Sequence, residues 1–68
     1  MESAKFVISE YDDGCIIEFE NRMYIYKDEV LSELLHRDGK VIMTELMKLP
    51  DMDWVEEHIL HLHGYTEL

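Results

Sequence analysis

Residues 53–65 have the sequence DWVEEHILHLHGY, which is the pattern of an amphipathic α-helix with marked ends. Asp53 precedes Glu56 by three residues, close to the capping-box spacing found at the start of many helices. Gly64 is the residue type expected where a helix ends in a left-handed conformation. The pattern therefore predicts a helix that begins at Asp53 and ends before Gly64.

The two sides of this predicted helix differ in chemistry. One side carries apolar residues at i, i+4 and i+7, namely Val55, Ile59 and Leu62. Three residues fall roughly opposite them at 100° per residue, namely Trp54, Glu57 and His61. We expect the apolar side to be buried and the opposite side to present an aromatic ring, an acid and a histidine to solvent or to a partner.

The N-terminal part of the chain has the residue types and turn signals of β-strands. Residues 5–11 (KFVISEY) and 15–20 (CIIEFE) flank residues 12–14 (DDG), and Asp-Gly is among the strongest short hairpin signals. A second reversal at residues 21–22 (NR) leads into residues 23–27 (MYIYK). The pattern predicts three antiparallel strands joined in a meander.

Two-residue turns fix the register of this predicted meander, which spans residues 5–27. Turns at residues 13–14 and 21–22 place, for example, Ile17 opposite Glu10. One face of the sheet then collects the large apolar side chains, namely Phe6, Ile8, Ile17, Phe19, Tyr24 and Tyr26. We expect this face to form the core.

From Asp28 onward the apolar spacing changes to one typical of helices. Asp28 is a candidate N-cap for a helix with leucines at i, i+3 and i+4, namely Leu31, Leu34 and Leu35. Residues 40–43 (KVIM) fit either a short strand or the start of a helix. Residues 44–49 (TELMKL) suggest a two-turn helix, which Pro50 would end.

The predicted fold class is therefore α+β, in a single small domain over residues 1–68. An N-terminal three-stranded antiparallel β-meander at residues 5–27 is followed by two to three α-helices in residues 28–65. The chain has one cysteine, Cys15, so an internal disulfide is excluded. Packing, or a partner, must supply the stability of so small a domain.

The predicted helical part resembles the winged-helix or helix-turn-helix family. Over residues 30–65 a leucine-bearing helix, a Gly-Lys-Val segment, a short Thr-Glu-Leu helix and a third helix ending in Gly-Tyr follow in the order of that family. The resemblance is carried by Gly39, Thr44, Glu45, Leu46 and Gly64. It implies a DNA-binding regulator whose third helix enters the major groove.

The third helix departs from that family in its chemistry. DNA-binding members carry basic and amide side chains at these positions. This chain carries Asp51, Asp53, Trp54, Glu56, Glu57 and His61. Carboxylates that face phosphates weaken binding, so we expect such a helix to contact protein rather than DNA.

The charge balance decides among classes of partner. The chain has 16 acids against 6 lysines and arginines, a formal net charge of −10. Such a chain is repelled by phosphate backbones and anionic membranes and is attracted to basic surfaces. No apolar run approaches the ~20 residues of a membrane span, and the first residues lack the pattern of a signal peptide. We therefore expect a cytoplasmic protein.

Residues suited to catalysis or to a cofactor are scarce. Cys15 follows a turn rich in acids, which disfavours the thiolate that a nucleophile needs. His58 and His61 are neighbours on a helix but supply only half of a metal-ligand set. The sequence has no glycine-rich phosphate loop or serine-elbow motif. We predict no enzyme activity, no cofactor and no physiological metal site.

The predicted function is that of a non-catalytic acidic protein-binding module. We expect a small regulator or inhibitor that binds the basic surface of a nucleic-acid-binding protein. In its sharpest form it is a DNA mimic, by analogy with small phage or bacterial proteins. The predicted partner-binding residues are Trp54, Glu56, Glu57, His61, Asp12, Asp13, Glu18 and Glu20.

Two alternatives stay open at this stage. One is the winged-helix-like DNA-binding transcriptional regulator implied by the resemblance. The other is a homodimeric structural module, because the open edges of a β-meander can pair with a second copy of the chain.

Overall fold

The computed structural model describes residues 5–65, which form one antiparallel sheet and one helix. The strands are β1 (Val7–Tyr11), β2 (Gly14–Phe19), β3 (Arg22–Lys27), β4 (Val30–Arg37) and β5 (Lys40–Lys48). The helix, α1, spans Met52–Leu62 and follows the last strand. The strands are ordered β1-β2-β3-β4-β5 across the sheet, so every connection between them is a hairpin.

Each hairpin turns on two residues, at positions 12–13, 20–21, 28–29 and 38–39. In the last three turns both residues have positive φ, as type I′ turns require. Gly39 is the one glycine among these six residues, and the other five are acids or asparagine. Because the twist of a type I′ turn matches that of the strands, these short turns set the register of the whole sheet.

The prediction of two to three helices after a three-stranded meander is wrong, because residues 30–48 form β4 and β5. In β4 the side chains alternate between two partly apolar faces, with Leu31 and Leu35 on one and Leu34 on the other. Leucines placed in this way also satisfy helical spacing, so the pattern does not separate the two structures. The Asp-Gly pair at 38–39, interpreted as a helix end, is a hairpin turn.

The resemblance of residues 30–65 to a winged-helix domain is wrong for the same reason. The first two helices of that arrangement correspond to strands here, and α1 alone is helical. Residues 40–43, whose sequence fits either a short strand or the start of a helix, belong to β5. The DNA-binding alternative thereby loses its structural basis.

The first two turns lie one residue earlier than predicted, at residues 12–13 and 20–21. Ile17 therefore pairs with Ile8 instead of Glu10. The error in register is two residues, an even number, so the same side chains still share a face of the sheet.

The core lies between one face of the sheet and one side of α1. The side chains with no exposed surface come from the three inner strands and from the helix: Ile17, Tyr24, Leu31, Val55 and Ile59. Val55 and Ile59 are the first two residues of the stripe predicted to be buried, and that prediction is confirmed for them. Leu62, the third, is 43% exposed because it lies in the last turn of the helix.

The residue that caps the start of the helix lies two positions earlier than Asp53, the predicted one. The N-cap is Asp51, whose Oδ1 accepts a hydrogen bond from the backbone N–H of Trp54 at 3.2 Å. Asp53 lies instead in the first turn, where its carboxylate interacts favourably with the helix dipole. Beyond the C-cap His63, Gly64 has a φ of +90°, as expected of a helix-ending glycine. Within residues 5–65, no helix has the length and apolar character needed to cross a membrane.

Strain in the third turn gives a prediction about stability. Asp28 and Glu29 have φ of +53° and +64°, a conformation that costs residues with a Cβ atom about 1 kcal/mol or more each. Replacing the pair with Asn-Gly (Asp28→Asn with Glu29→Gly) should raise the free energy of unfolding by about 1 kcal/mol. Urea denaturation monitored by circular dichroism measures the change.

The matched control is Glu57→Gly on the exposed side of α1. Glycine within a helix should lower the free energy of unfolding by about 1 kcal/mol. If the turn variant lost as much stability as this control, the third turn would not be strained.

Candidate protein-binding surface

Within residues 5–65, no helix packs on the second face of the sheet, and we call this face the open face. One row of side chains across it comprises Val7, Glu18, Met23, Leu34 and Met43. The next row comprises Ser9, Ile16, Ile25, Ser32 and Glu45. The buried side chains of α1 all pack against the other face. The open face therefore combines apolar residues with solvent access.

A groove of about 690 Å³ runs over the open face. Its apolar lining consists of Ile16, Ile25, Val30, Leu34, Val41 and Met43. Val41 and Met43, on the edge strand, are 59% and 62% exposed. A contiguous exposed apolar surface on a small protein commonly marks a binding site.

Acids border this groove. Asp12 and Asp28, which lie in the first and third turns, and Glu45 of β5 all contribute to its lining. Lys27 is the only base among the described residues that line it. Glu18 lies on the same face, in the row that contains Leu34. The groove is therefore apolar along its floor and negatively charged along its border.

The predicted partner-binding residues of α1 lie on the opposite side of the molecule from the groove. Trp54 is 55% exposed, Glu57 and His61 are also exposed, and Glu56 is half-buried. Because α1 covers the other face of the sheet, no single flat surface includes both these residues and the open face.

The predicted acids of the first hairpin are divided between the two ends of the sheet. Asp12 and Asp13 lie in the first turn, whereas Glu20 lies in the second, at the far end of the six-residue strand β2. A strand of that length separates the two turns by about 20 Å. Of the predicted residues, Asp12 lines the groove, and Glu18 lies on the same face of the sheet outside its lining. The apolar residues of the groove were not among the predicted partner-binding residues.

The carboxylate of Glu20 contacts other residues of the same chain. Its Oε1 lies 3.0 Å from Nδ1 of His63, and Nε2 of His63 lies 2.7 Å from the hydroxyl oxygen of Tyr24. Its Oε2 accepts a hydrogen bond from the hydroxyl of Tyr65. These contacts attach the C-terminal end of α1 to the second turn and to β3. We therefore interpret Glu20 as a structural carboxylate.

The surroundings of these groups change their ionisation. The hydrogen bond from Tyr65, and then the contact with His63, lowers the pKa of Glu20. Burial raises the pKa of Tyr24, and the hydrogen bond to Glu20 raises the pKa of Tyr65. The carboxylate is thus charged and both hydroxyls are protonated near neutral pH. Because the Tyr24 side chain has no exposed surface, the hydroxyl of this carboxylate–imidazole–hydroxyl arrangement is inaccessible to a substrate, whereas the Glu20 carboxylate is exposed.

The other polar groups with clear contacts also stabilise the fold. Nε and Nη2 of Arg22 donate to both carboxylate oxygens of Glu33, at 2.7 and 2.8 Å, and this pairing raises the pKa of Arg22. Burial raises the pKa of the Cys15 thiol, which disfavours its use as a nucleophile. Within residues 5–65, no cluster of three or more His, Cys, Asp and Glu side chains could hold a metal ion.

Comparison with known proteins assigns no family. No protein-family model, curated protein or solved structure matches this chain. Function must therefore be argued from the open face and its charges.

The contacts of Glu20 give a prediction about its titration. Tyr65→Phe removes the hydrogen bond that contributes most to the lowered pKa of Glu20, so the pKa of this carboxyl should rise toward its ordinary value. A carboxylate with a depressed pKa adds stability at pH above its unfolded pKa, about 4.3, and this contribution is lost as the pH falls through the folded pKa. Carbon-detected NMR titration of the glutamate carboxyls measures the shift.

The control is Tyr11→Phe, at an exposed tyrosine on the far end of the sheet. This change should leave the titration of Glu20 as it is in the natural chain. An unchanged Glu20 pKa in Tyr65→Phe would contradict the assigned hydrogen bond.

Proposed function

We propose that this chain is a non-catalytic protein-binding module whose open face receives a basic amphipathic helix of another protein. The observation that carries the proposal is the uncovered apolar groove with acids along its border. The net charge of −10 adds a longer-range attraction toward basic surfaces.

The chemistry of the groove defines the occupant. Leu34, Val41 and Met43 offer apolar contacts to the apolar stripe of a helix. Asp12 and Glu45 offer carboxylates to lysine or arginine side chains that flank such a stripe. An acidic helix, or a purely polar one, would satisfy only one of these two requirements.

The size of the open face supports the same occupant. Five strands spaced about 4.8 Å apart give a face roughly 20 Å wide. An α-helix has a diameter of about 10 Å with its side chains, so a bound helix would leave acids accessible on both sides. Met43 adds a flexible side chain that adapts to different apolar partners.

Binding of this kind covers a basic surface on the partner. Where the partner uses that surface to hold nucleic acid, the module competes with the nucleic acid and acts as an inhibitor or regulator in the cytoplasm. Acids around the groove then occupy positions otherwise taken by phosphates, which is the DNA-mimic form of the proposal. Electrostatic steering makes such binding sensitive to salt.

Three synthetic peptides of equal length test the proposal directly. The first has a leucine stripe flanked by lysines, the second a leucine stripe flanked by glutamates, and the third has serines in place of the leucines and keeps the lysines. Fluorescence anisotropy should show binding of the first alone, weakened by added salt. Equal binding of the first and third peptides would exclude the groove as the binding surface.

Charge reversal distinguishes the open face from the exposed side of α1. Glu18→Lys and Glu57→Lys change the net charge equally, but Glu18 lies on the open face and Glu57 on the helix. We expect Glu18→Lys to weaken binding of the lysine–leucine peptide about 3- to 10-fold and Glu57→Lys to have a much smaller effect. If Glu57→Lys weakened peptide binding more than Glu18→Lys did, the binding surface would lie on α1 and not on the open face.

Adjacent leucines on β4 test the apolar part of the groove. Leu34 lines the groove, whereas Leu35 points to the other face and is also accessible to solvent. Leu34→Ser should weaken binding of the lysine–leucine peptide about tenfold, and Leu35→Ser should leave it nearly unchanged. Amide NMR spectra of both variants establish that the fold is retained. Equal effects of the two changes would contradict the proposal.

A further inference from the structure

Among the residues that the structure describes, none pairs with the outer edge of β5, whose backbone groups are regularly arranged. Arg37 and Lys40 flank a two-residue turn, so they form the first hydrogen-bonded pair of the β4–β5 hairpin. Hydrogen-bonded and non-hydrogen-bonded pairs alternate from that point. The residues whose backbone N–H and C=O groups point away from β4 are therefore Val41, Met43 and Glu45.

This edge lacks two of the features that usually prevent strands from pairing with other chains, namely a short length and a proline. Such edges are commonly short, contain proline or carry several charges. β5 has nine residues, against five in the other edge strand, and contains no proline. A register irregularity next to Leu46 limits the regular part of its edge to the residues before it.

The charge of β5 differs from that of the rest of the chain. The strand carries Lys40, Lys48 and Glu45, two bases and one acid, which gives a net charge of +1. The whole chain has a net charge of −10. The general repulsion between two copies of this protein is therefore weakest where the two β5 edges approach each other.

We propose that β5 pairs antiparallel with β5 of a second copy, around a two-fold axis at Met43, to form a continuous ten-stranded sheet. Met43 then lies opposite the partner subunit's Met43. Val41 lies opposite the partner subunit's Glu45, so the outward backbone groups of each strand meet those of the other.

Neighbouring registers are less favourable. An axis at Thr44 pairs residues 43–45 alone within the regular part of the edge, and an axis at Glu45 places two carboxylates directly opposite each other. An axis at Ile42 brings no like charges together, but it leaves the outward backbone groups of Glu45 without a partner in the strand. The axis at Met43 pairs residues 41–45, so that all three outward residues of each strand meet outward residues of the other.

This inference goes beyond the proposed function, because it describes how two copies of the protein assemble. A two-fold axis perpendicular to a continuous sheet places both open faces on the same side. The two grooves then form one surface, with Val41 and Met43 of both copies near its centre. A partner with two basic amphipathic segments could bind such a dimer with avidity.

Proline substitution at the two sheet edges tests the pairing. Met43→Pro removes an N–H that points away from β4, so the hairpin keeps its internal hydrogen bonds while the outer edge is blocked. Glu10→Pro makes the same change at the outer edge of β1. Sedimentation over a wide range of protein concentration should show a dimer for the natural chain and for Glu10→Pro, and loss of the dimer for Met43→Pro.

Cysteine cross-linking tests the register and does not depend on the proline variants. In a Cys15→Ser background, Met43→Cys places two thiols opposite each other at the axis, within reach of a disulfide. Val41→Cys places them about four residues apart along the strands, beyond that reach. We expect cross-linked dimer from Met43→Cys alone. A monomer at every concentration, or equal cross-linking from both positions, would overturn the proposal.

Discussion

Docking of α1 onto one face of the sheet is the interaction on which the rest of the structure depends. A five-stranded meander of this size has two apolar faces, and this chain has one helix within its described residues to cover them. Val55 and Ile59 fill the space over Ile17, Tyr24 and Leu31, and all five side chains are fully buried. The same interaction determines which face becomes the core and which is left open.

Two tyrosines of β3 hold the ends of the docked segment. The Tyr26 hydroxyl donates to the carbonyl oxygen of Leu49 at 2.6 Å, just before the helix begins, and Tyr24 contacts His63 just after it ends. Their i, i+2 spacing puts both rings on the face that α1 covers. Glu20 contacts the other ring nitrogen of His63. This acid was predicted to bind a partner, but its contacts position the helix instead.

The sequence predicts the local structure around residues 5–27 because turn signals separate short runs of strand-forming residues, and around residues 53–65 because the apolar stripe and the helix-ending glycine agree. It fails for residues 30–48, where Leu34 and Leu35 lie on opposite faces and both faces are partly apolar. The acids of the candidate site, such as Asp12, could be found from charge alone. The groove could not, because its residues come from all five strands, of which β4 was interpreted as a helix and β5 was interpreted as helical in its second half.

The four two-residue turns also have a consequence for folding. Each strand pairs with the one that precedes it in the chain, so the sheet can form from successive local hairpins with little loop-closure entropy. The contact between Glu20 and His63 is different, since it joins residues 43 positions apart. Docking of α1 therefore closes far longer loops than the hairpins do. The burial of Val55 and Ile59 has to offset that larger loop-closure entropy.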